Sequence, residues 1–215
     1  MKRRGELKHK WVFVLLSSLL AAGCAAERPV EQINIAELEF PTELAVIRRA
    51  QWGWVPITKG IDEHSVKRIT IHHGGVDFPD DRNVVEYLLA LQSWGRSDKG
   101  WIDIPYHFMI DRQGHIYETR PINFPGDTNT AYDPAGHALI AVMGNYENQT
   151  LSQVQLDALI AMTAFLTGEF GVPLERIRGH KDYADTTCPG ADIYRYLLDG
   201  TIHMGVTVIL EQARP

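Results

Sequence analysis

Apolar and polar residues are arranged along this chain in two periods, one of about two residues and one near 3.6. Arg68-Ile69-Thr70-Ile71-His72 is rich in β-branched residues and runs into Gly74-Gly75, which predicts a strand opening onto a loop. Val84 to Trp94 places Val84, Leu88 and Leu91 at helical spacing and predicts a helix. Tyr106 to Ile110 and His115 to Thr119 flank Asp111-Arg112-Gln113-Gly114, where glycine accepts the positive φ of a tight turn, so a hairpin is predicted. Ala138 to Met143 is continuously apolar, as expected of a strand buried on both faces. The clearest helix is Ser152 to Phe170. Ser152 with Gln155 three residues on makes a capping box, and Gly171 then Pro173 end the segment. Its residues Leu156, Leu159, Ile160, Thr163 and Leu166 predict one core-facing stripe. Ile202 to Leu210 is apolar enough for a closing strand or helix packed on the domain. Strands interspersed with helices, with one hairpin, predict an α/β fold: a single domain with a mixed sheet flanked by helices.

With 215 residues the chain fits one domain plus appendages. The 45% hydrophobic and 22% charged content permits a buried core and argues against wholesale disorder. The net charge of -6 is unevenly distributed. Residues 1–23 hold five basic residues against Glu6 alone; removing these from totals of 21 and 27 leaves 16 basic and 26 acidic residues, a net of -10. So acidic a chain lacks the basic patch of a nucleic-acid binder. The basic stretch to Lys10 precedes an apolar run, Trp11 to Ala22, that is too short to span a bilayer and has the layout of a secretory signal. Leu20-Ala21-Ala22-Gly23-Cys24 resembles a bacterial lipobox, which implies lipidation of Cys24. The expected layout is a signal peptide at 1–23, a lipidated cysteine and flexible tether at 24–43, a domain at 44–200 and a C-terminal extension at 201–215. The implied location is the bacterial cell envelope, anchored to the membrane by lipid; Ala25 and Ala26 favour the outer membrane, facing the periplasm, in a diderm organism. With Cys24 lipidated, Cys188 has no disulfide partner in an oxidising compartment, and metal coordination is one use for such a thiol.

Three segments carry residues of metal-ligand type: Ile71-His72-His73-Gly74 at a strand end, Gly179-His180-Lys181-Asp182-Tyr183, and Thr186-Thr187-Cys188-Pro189-Gly190. Imidazole and thiolate suit Zn²⁺, and three protein ligands with a fourth position left open define a catalytic site. The spacing of eight residues from His180 to Cys188 lets one loop fold back on itself. Spacing alone decides little, since a histidine at a strand end is more often a hydrogen-bonded surface group.

These segments, taken in order, resemble the zinc-dependent N-acetylmuramoyl-L-alanine amidases, the superfamily that includes the peptidoglycan recognition proteins. Arg48-Arg49-Ala50-Gln51-Trp52-Gly53 is similar to the family's opening motif, Ile71-His72-His73 to its first ligand strand, and Asp103 to Ile110 with Ile116-Tyr117-Glu118 to its central hairpin. Ala141 to Tyr146 resembles the strand before the long helix, and the two segments around His180 and Cys188 resemble the closing ligand loop. The resemblance spans about residues 46–195. It implies one zinc ion per chain held by His72, His180 and Cys188, with His73 a neighbour rather than a ligand. It also implies catalytic roles for Tyr106, which matches the tyrosine of hydrolytic members, and for Thr186, which lies near the open coordination position. The implied reaction is hydrolysis of the amide between N-acetylmuramic acid and L-alanine in peptidoglycan or its fragments, by a zinc-activated water in a monomeric enzyme. Tyr106 would then position the water or stabilise the oxyanion, with Thr186 as an assisting donor. Some cytoplasmic relatives carry a glutamate base on the strand aligned with Ala141 to Met143; none is present here, which leaves proton transfer to Tyr106, water or His73. Where eukaryotic members have Gly-Ala-His, this chain reads Asp127-Thr128-Asn129, and it lacks the cysteines of their short-range disulfide.

Three other readings compete. A catalytically silent peptidoglycan binder on the same fold has no need of an open zinc site beside Tyr106. A zinc amidase could instead act on imported or recycled muropeptides, or on a neighbour's wall, and a lipid anchor argues against the last of these. A nucleobase deaminase fails because His-x-Glu and Pro-Cys-x-x-Cys are absent.

Overall fold

A computed structural model of the chain describes residues 33–213; Cys24 and the signal-like segment lie outside the described residues. In chain order the elements are β1 (Val46–Ile47), β2 (Arg68–His73), α1 (Val84–Asp98), β3 (Phe108–Ile110), β4 (Ile116–Glu118), β5 (His137–Val142), α2 (Gln153–Phe170), β6 (Ile177–Gly179), α3 (Ala191–Leu198) and α4 (Thr201–Gln212). The strands form one mixed sheet in the order β1-β4-β3-β5-β2-β6. Only the β3–β4 hairpin is antiparallel; β5 pairs with β2, and β2 with β6, in parallel. The fold is thus α/β with helices on both faces, as the element order predicts.

Side chains alternate across a strand, and this divides β2 between two environments. Ile69 and Ile71 point with Ala138, Ile140 and Val142 of β5 into the larger core, which α2 and α4 cover. The opposite face carries Thr70 and His72. Next to it, Met109 and Ala141 pack with Leu88 of α1 in a second, smaller core. The helix predicted at Ser152–Phe170 forms, with Ser152 and Gln155 making the reciprocal capping bonds and Gly171 in the left-handed region. Its buried surface is wider than one stripe, because Met162, Ala164 and Thr167 are buried too. α4 lies along α2, and the approach is close: a Cβ on Gly205 would stand 2.7 Å from Ile160 Cγ2. The apolar segment after Gly200 is therefore a helix, not a strand.

The hairpin turn works as its sequence suggests. Asp111 is buried, and its carboxylate accepts from the backbone N–H of Gln113 and of His115, both at 2.9 Å, and from the Tyr117 hydroxyl. Gly114 has φ +82°, and a Cβ there would sit 2.7 Å from the Val154 carbonyl of α2.

One boundary moves. Residues 33–43, expected to belong to a flexible tether, lie on the domain. Leu38 is buried, and the Phe40 ring lies 5.0 Å from Phe165 and 6.0 Å from Phe108. Asn123 accepts from the Ala36 N–H and donates to the Asn34 carbonyl. The polar residues between them hide an alternating apolar set, Ala36, Leu38 and Phe40, which packs as an extended segment does.

The opening motif has a structural reason. Trp52 Nε1 donates to the Glu118 carbonyl at 2.8 Å, and Arg49 pairs with the Glu118 carboxylate at 2.9 Å while its other nitrogen reaches Glu37 at 2.7 Å. Arg49 and Glu118 are both buried. Removing one member of a buried ion pair leaves an uncompensated charge. Glu118→Ala should cost about 3–5 kcal/mol in urea-denaturation stability; a loss below about 1 kcal/mol, the value of an exposed pair, would show that this clamp is dispensable.

Candidate metal centre

Strand register assembles the site. Ile71 lies beside Gly179 in the β2–β6 ladder, so the next residue of each strand, His72 and His180, emerges side by side, with ring centroids 4.5 Å apart. Gly179 must be small, because a Cβ there would stand 3.0 Å from Pro189 and from Tyr194. Past β6 the chain turns through His180–Asp182, where the Asp182 carboxylate accepts the Gly179 N–H at 2.8 Å. It returns so that Lys181 N–H donates to the Cys188 carbonyl at 2.9 Å. This closes the eight-residue loop and delivers the thiol. Sγ of Cys188 lies 3.5 Å from His72 Nδ1 and accepts from the His73 backbone N–H at 3.4 Å. One ligand atom from each of His72, His180 and Cys188 lies within 4.8 Å of the others, and all three residues are buried. The position, at the carboxyl ends of parallel strands where the chain switches from one side of β2 to the other, is a favoured ligand site in such sheets.

The environment disfavours charge on each of the three. Burial, reinforced by neighbouring His180 and His73, holds His72 well below the ordinary histidine range, and burial with His73 brings His180 down to about 4. Burial pushes the Cys188 thiol up to about 12. The two imidazoles therefore keep lone pairs for a metal, and the thiol, partnered by one backbone N–H, has an obvious use as a thiolate only if a cation arrives. Two borderline nitrogens and one sulfur at this separation fit zinc by donor chemistry.

The remaining named residues border the same cavity of about 210 Å³. Tyr106 has its ring 5.2 Å from that of His72, and its backbone carbonyl is held by the Thr119 hydroxyl at 2.6 Å and the Arg120 N–H at 3.1 Å. Burial, with Cys188, Tyr87 and Tyr132 nearby, raises its phenol well above the usual value, so Tyr106 keeps its proton and is available as a donor. Thr186 Oγ1 accepts from the Cys188 N–H at 3.2 Å, leaving its own proton free to donate. His73 Nδ1 accepts from the Tyr146 N–H at 3.2 Å, which puts the proton of the neutral ring on Nε2, the nitrogen near Gly75. His73 is thus a donor at Nε2, and it can accept a proton only by giving up the bond from the Tyr146 N–H, which leaves Tyr106 and water as the other carriers open from sequence. Asp127, Thr128 and Asn129 form one wall, with Asp127 tied to the buried Arg120 at 2.5 Å. Sequence reasoning missed Trp101, which lines the cavity, and Thr130 and Tyr132, which touch the histidines. They lie in connecting segments where no period or metal-ligand residue type marks them.

The family profile Amidase_2, described as N-acetylmuramoyl-L-alanine amidase, matches residues 62–191. The chain belongs to this amidase family. Mouse peptidoglycan recognition protein 1 is 26% identical over 161 residues, which covers 71% of this chain and 85% of the relative. Drosophila peptidoglycan recognition protein SD superposes on the amidase-family domain with a TM-score of 0.64 at 26% identity, over 71% of this chain and 92% of that one. The N-acetylmuramoyl-L-alanine amidase LysC from Clostridium intestinale shares the fold, with a TM-score of 0.56 at 24% identity over 74% and 97% of the two chains.

Two further buried histidines set a pH limit on this domain. His107 donates from Nε2 to the Phe124 carbonyl and accepts the Leu139 N–H at Nδ1, both at 2.9 Å, and burial brings it down to about 3. His137 Nδ1 is hydrogen-bonded to the Thr70 hydroxyl at 2.7 Å, and burial with Arg68 brings the ring down to about 4. An unfolded histidine titrates near ~6.5, so as pH falls the unfolded chain binds protons first and the folded state loses stability. The melting temperature measured in chelator should be flat above about pH 7 and decline steadily from about pH 6.5 towards 4; a flat profile over that window would contradict neutral burial of these rings.

Proposed function

We propose that this chain is a zinc-dependent amidase that hydrolyses the bond between N-acetylmuramic acid and L-alanine in peptidoglycan or its fragments. The observation that carries the reading is the convergence of His72, His180 and Cys188 within 4.8 Å at the floor of a cavity whose wall includes Tyr106. His72, His180 and Cys188 would hold the ion, which when bound supplies a Lewis acid and an acidified water at neutral pH. The chain's own contribution is a ring of donors. Tyr106, Thr186 and His73 line the cavity and each carries a proton to donate, and donors fixed in advance would stabilise the negative charge that develops on a scissile carbonyl there. Tyr106 is the strongest of these assignments, because its raised pKa keeps it a donor throughout the neutral range. The family description and the named relatives support a peptidoglycan substrate. The recognition proteins among those relatives favour a second reading, a binder that leaves the amide intact.

Purified protein should release free peptide stems from peptidoglycan, read by mass, with release abolished by a zinc chelator and restored by zinc. Tight binding to intact glycan-peptide without release would establish the binder instead. Tyr106→Phe should keep stoichiometric zinc and lose most turnover, by about 10²–10³-fold for a lost oxyanion donor, whereas Cys188→Ala should lose both metal and activity. Full rate and full zinc in Cys188→Ala would remove the ligand assignment.

We also propose lipid anchoring through Cys24 in the bacterial envelope, supported by the Leu20 to Cys24 motif. Cys24→Ser should abolish labelling by a fatty-acid probe in cells; undiminished labelling would remove the anchor.

A further inference from the structure

We infer that the loop Thr128–Tyr132, between β4 and β5, is the outer clamp of the metal centre: Thr130 and Tyr132 fix the two ligand histidines by bonding their outward nitrogens. The inference rests on the zinc reading above and adds positioning residues to it.

Each histidine has one nitrogen facing inward and one engaged by this loop. For His72 the sides are clear: Nδ1 faces Cys188 Sγ at 3.5 Å, and Nε2 meets the Tyr132 hydroxyl at 3.4 Å. For His180, Nε2 meets Thr130 Oγ1 at 2.7 Å, which leaves Nδ1 for the cluster. A histidine that gives the lone pair of Nδ1 to a metal carries its proton on Nε2 and needs an acceptor there, and such acceptors typically change metal affinity 10–100-fold. Hydroxyl oxygens are suited to the task because each both accepts and donates. Thr130 Oγ1 can accept from His180 and pass its own proton to Thr128 Oγ1, 2.8 Å away, which also accepts the Thr130 backbone N–H at 3.1 Å. The same three groups can run in reverse, with Thr130 donating to Nε2, when His180 holds its proton on Nδ1. The loop thus tolerates either tautomer of the metal-free site, and a metal would select one direction.

Packing keeps the loop in place. The Tyr132 ring stacks on Tyr183 at 5.8 Å and lies 5.0 Å from the His180 ring, and His137 packs edge-on against both tyrosines. His137 is in turn held by Thr70, the residue two before His72 on the same face of β2. The clamp is therefore fastened to the strand that presents the first ligand.

The test is the zinc dissociation constant of the full chain, by competition with a chromogenic chelator, for wild type, Thr130→Val, Thr130→Ser and Tyr132→Phe, alongside the melting temperature of each metal-free protein. Thr130→Val should weaken zinc binding by roughly 10–100-fold, and Thr130→Ser, which keeps the hydroxyl, should restore most of it. Tyr132→Phe keeps the stacked ring and should weaken binding by about tenfold, the low end of that range, as its bond is longer. Metal-free melting temperatures should stay close to wild type; affinity changes that merely track a lower melting temperature would assign the loop a structural role and overturn the inference. Wild-type affinity in both Thr130→Val and Tyr132→Phe, with wild type itself binding zinc, would overturn the clamp alone. Should Thr130→Val fail to fold, Tyr132→Phe decides by itself. A wild-type chain that takes up no zinc would overturn the zinc reading and the clamp with it.

Discussion

The whole arrangement depends on β2 being pinned between β5 and β6 in fixed register. A slip of one residue in a strand exchanges its two faces, so a β2 displaced by one position would turn His72 into the core that α2 and α4 cover and bring Ile71 or His73 to the site. The register is guarded by the apolar set on the guarded face, Ile69 and Ile71 against Ala138, Ile140, Val142 and Ile177. The same pairing that excludes water from one side of the sheet sets the spacing of two histidines on the other.

The third candidate ligand arrives by different means. Cys188 is on no strand; it is delivered by a loop closed with one backbone hydrogen bond, Lys181 to Cys188, and seated by the His73 N–H and the Thr186 hydroxyl. The site thus combines a rigid pair with a loop-borne thiol. Around it the wall is rich in groups that donate: a phenol kept protonated by burial, a histidine whose other nitrogen is taken by a backbone N–H, and a threonine whose oxygen already accepts.

Much of this was legible in the chain itself, and the reasons for the rest are specific. Long periodic segments such as Ser152–Phe170 declare themselves, because their capping and their apolar spacing agree. The hairpin was visible because Asp111 and Gly114 are each needed by the turn. The two-residue β1, the three-residue β6 and the short α3 are too brief for a period to show, and they exist because neighbouring elements hold them. The arm 33–43 read as tether because Glu37, Glu39, Glu43 and Pro41 interrupt its apolar residues, although Ala36, Leu38 and Phe40 alternate correctly. Candidate ligands stood out as residue types at strand and loop ends. Thr130 and Tyr132 did not, since a hydroxyl that supports a histidine is indistinguishable in sequence from any other loop hydroxyl, and only the bond reveals it.

The arm also gives the domain a mechanical entry point. A pull applied at residue 33 would be resisted first by Asn123, Leu38 and Phe40 and then, through Glu37 and Arg49, by Glu118 of β4. β4 continues directly into Thr119 and Arg120, the two residues that grip the Tyr106 carbonyl. Load from the N-terminal side therefore passes into the edge of the sheet and along β4 towards the phenol, while the β2–β6 ladder that carries the histidines lies at the far side of the sheet, off that path.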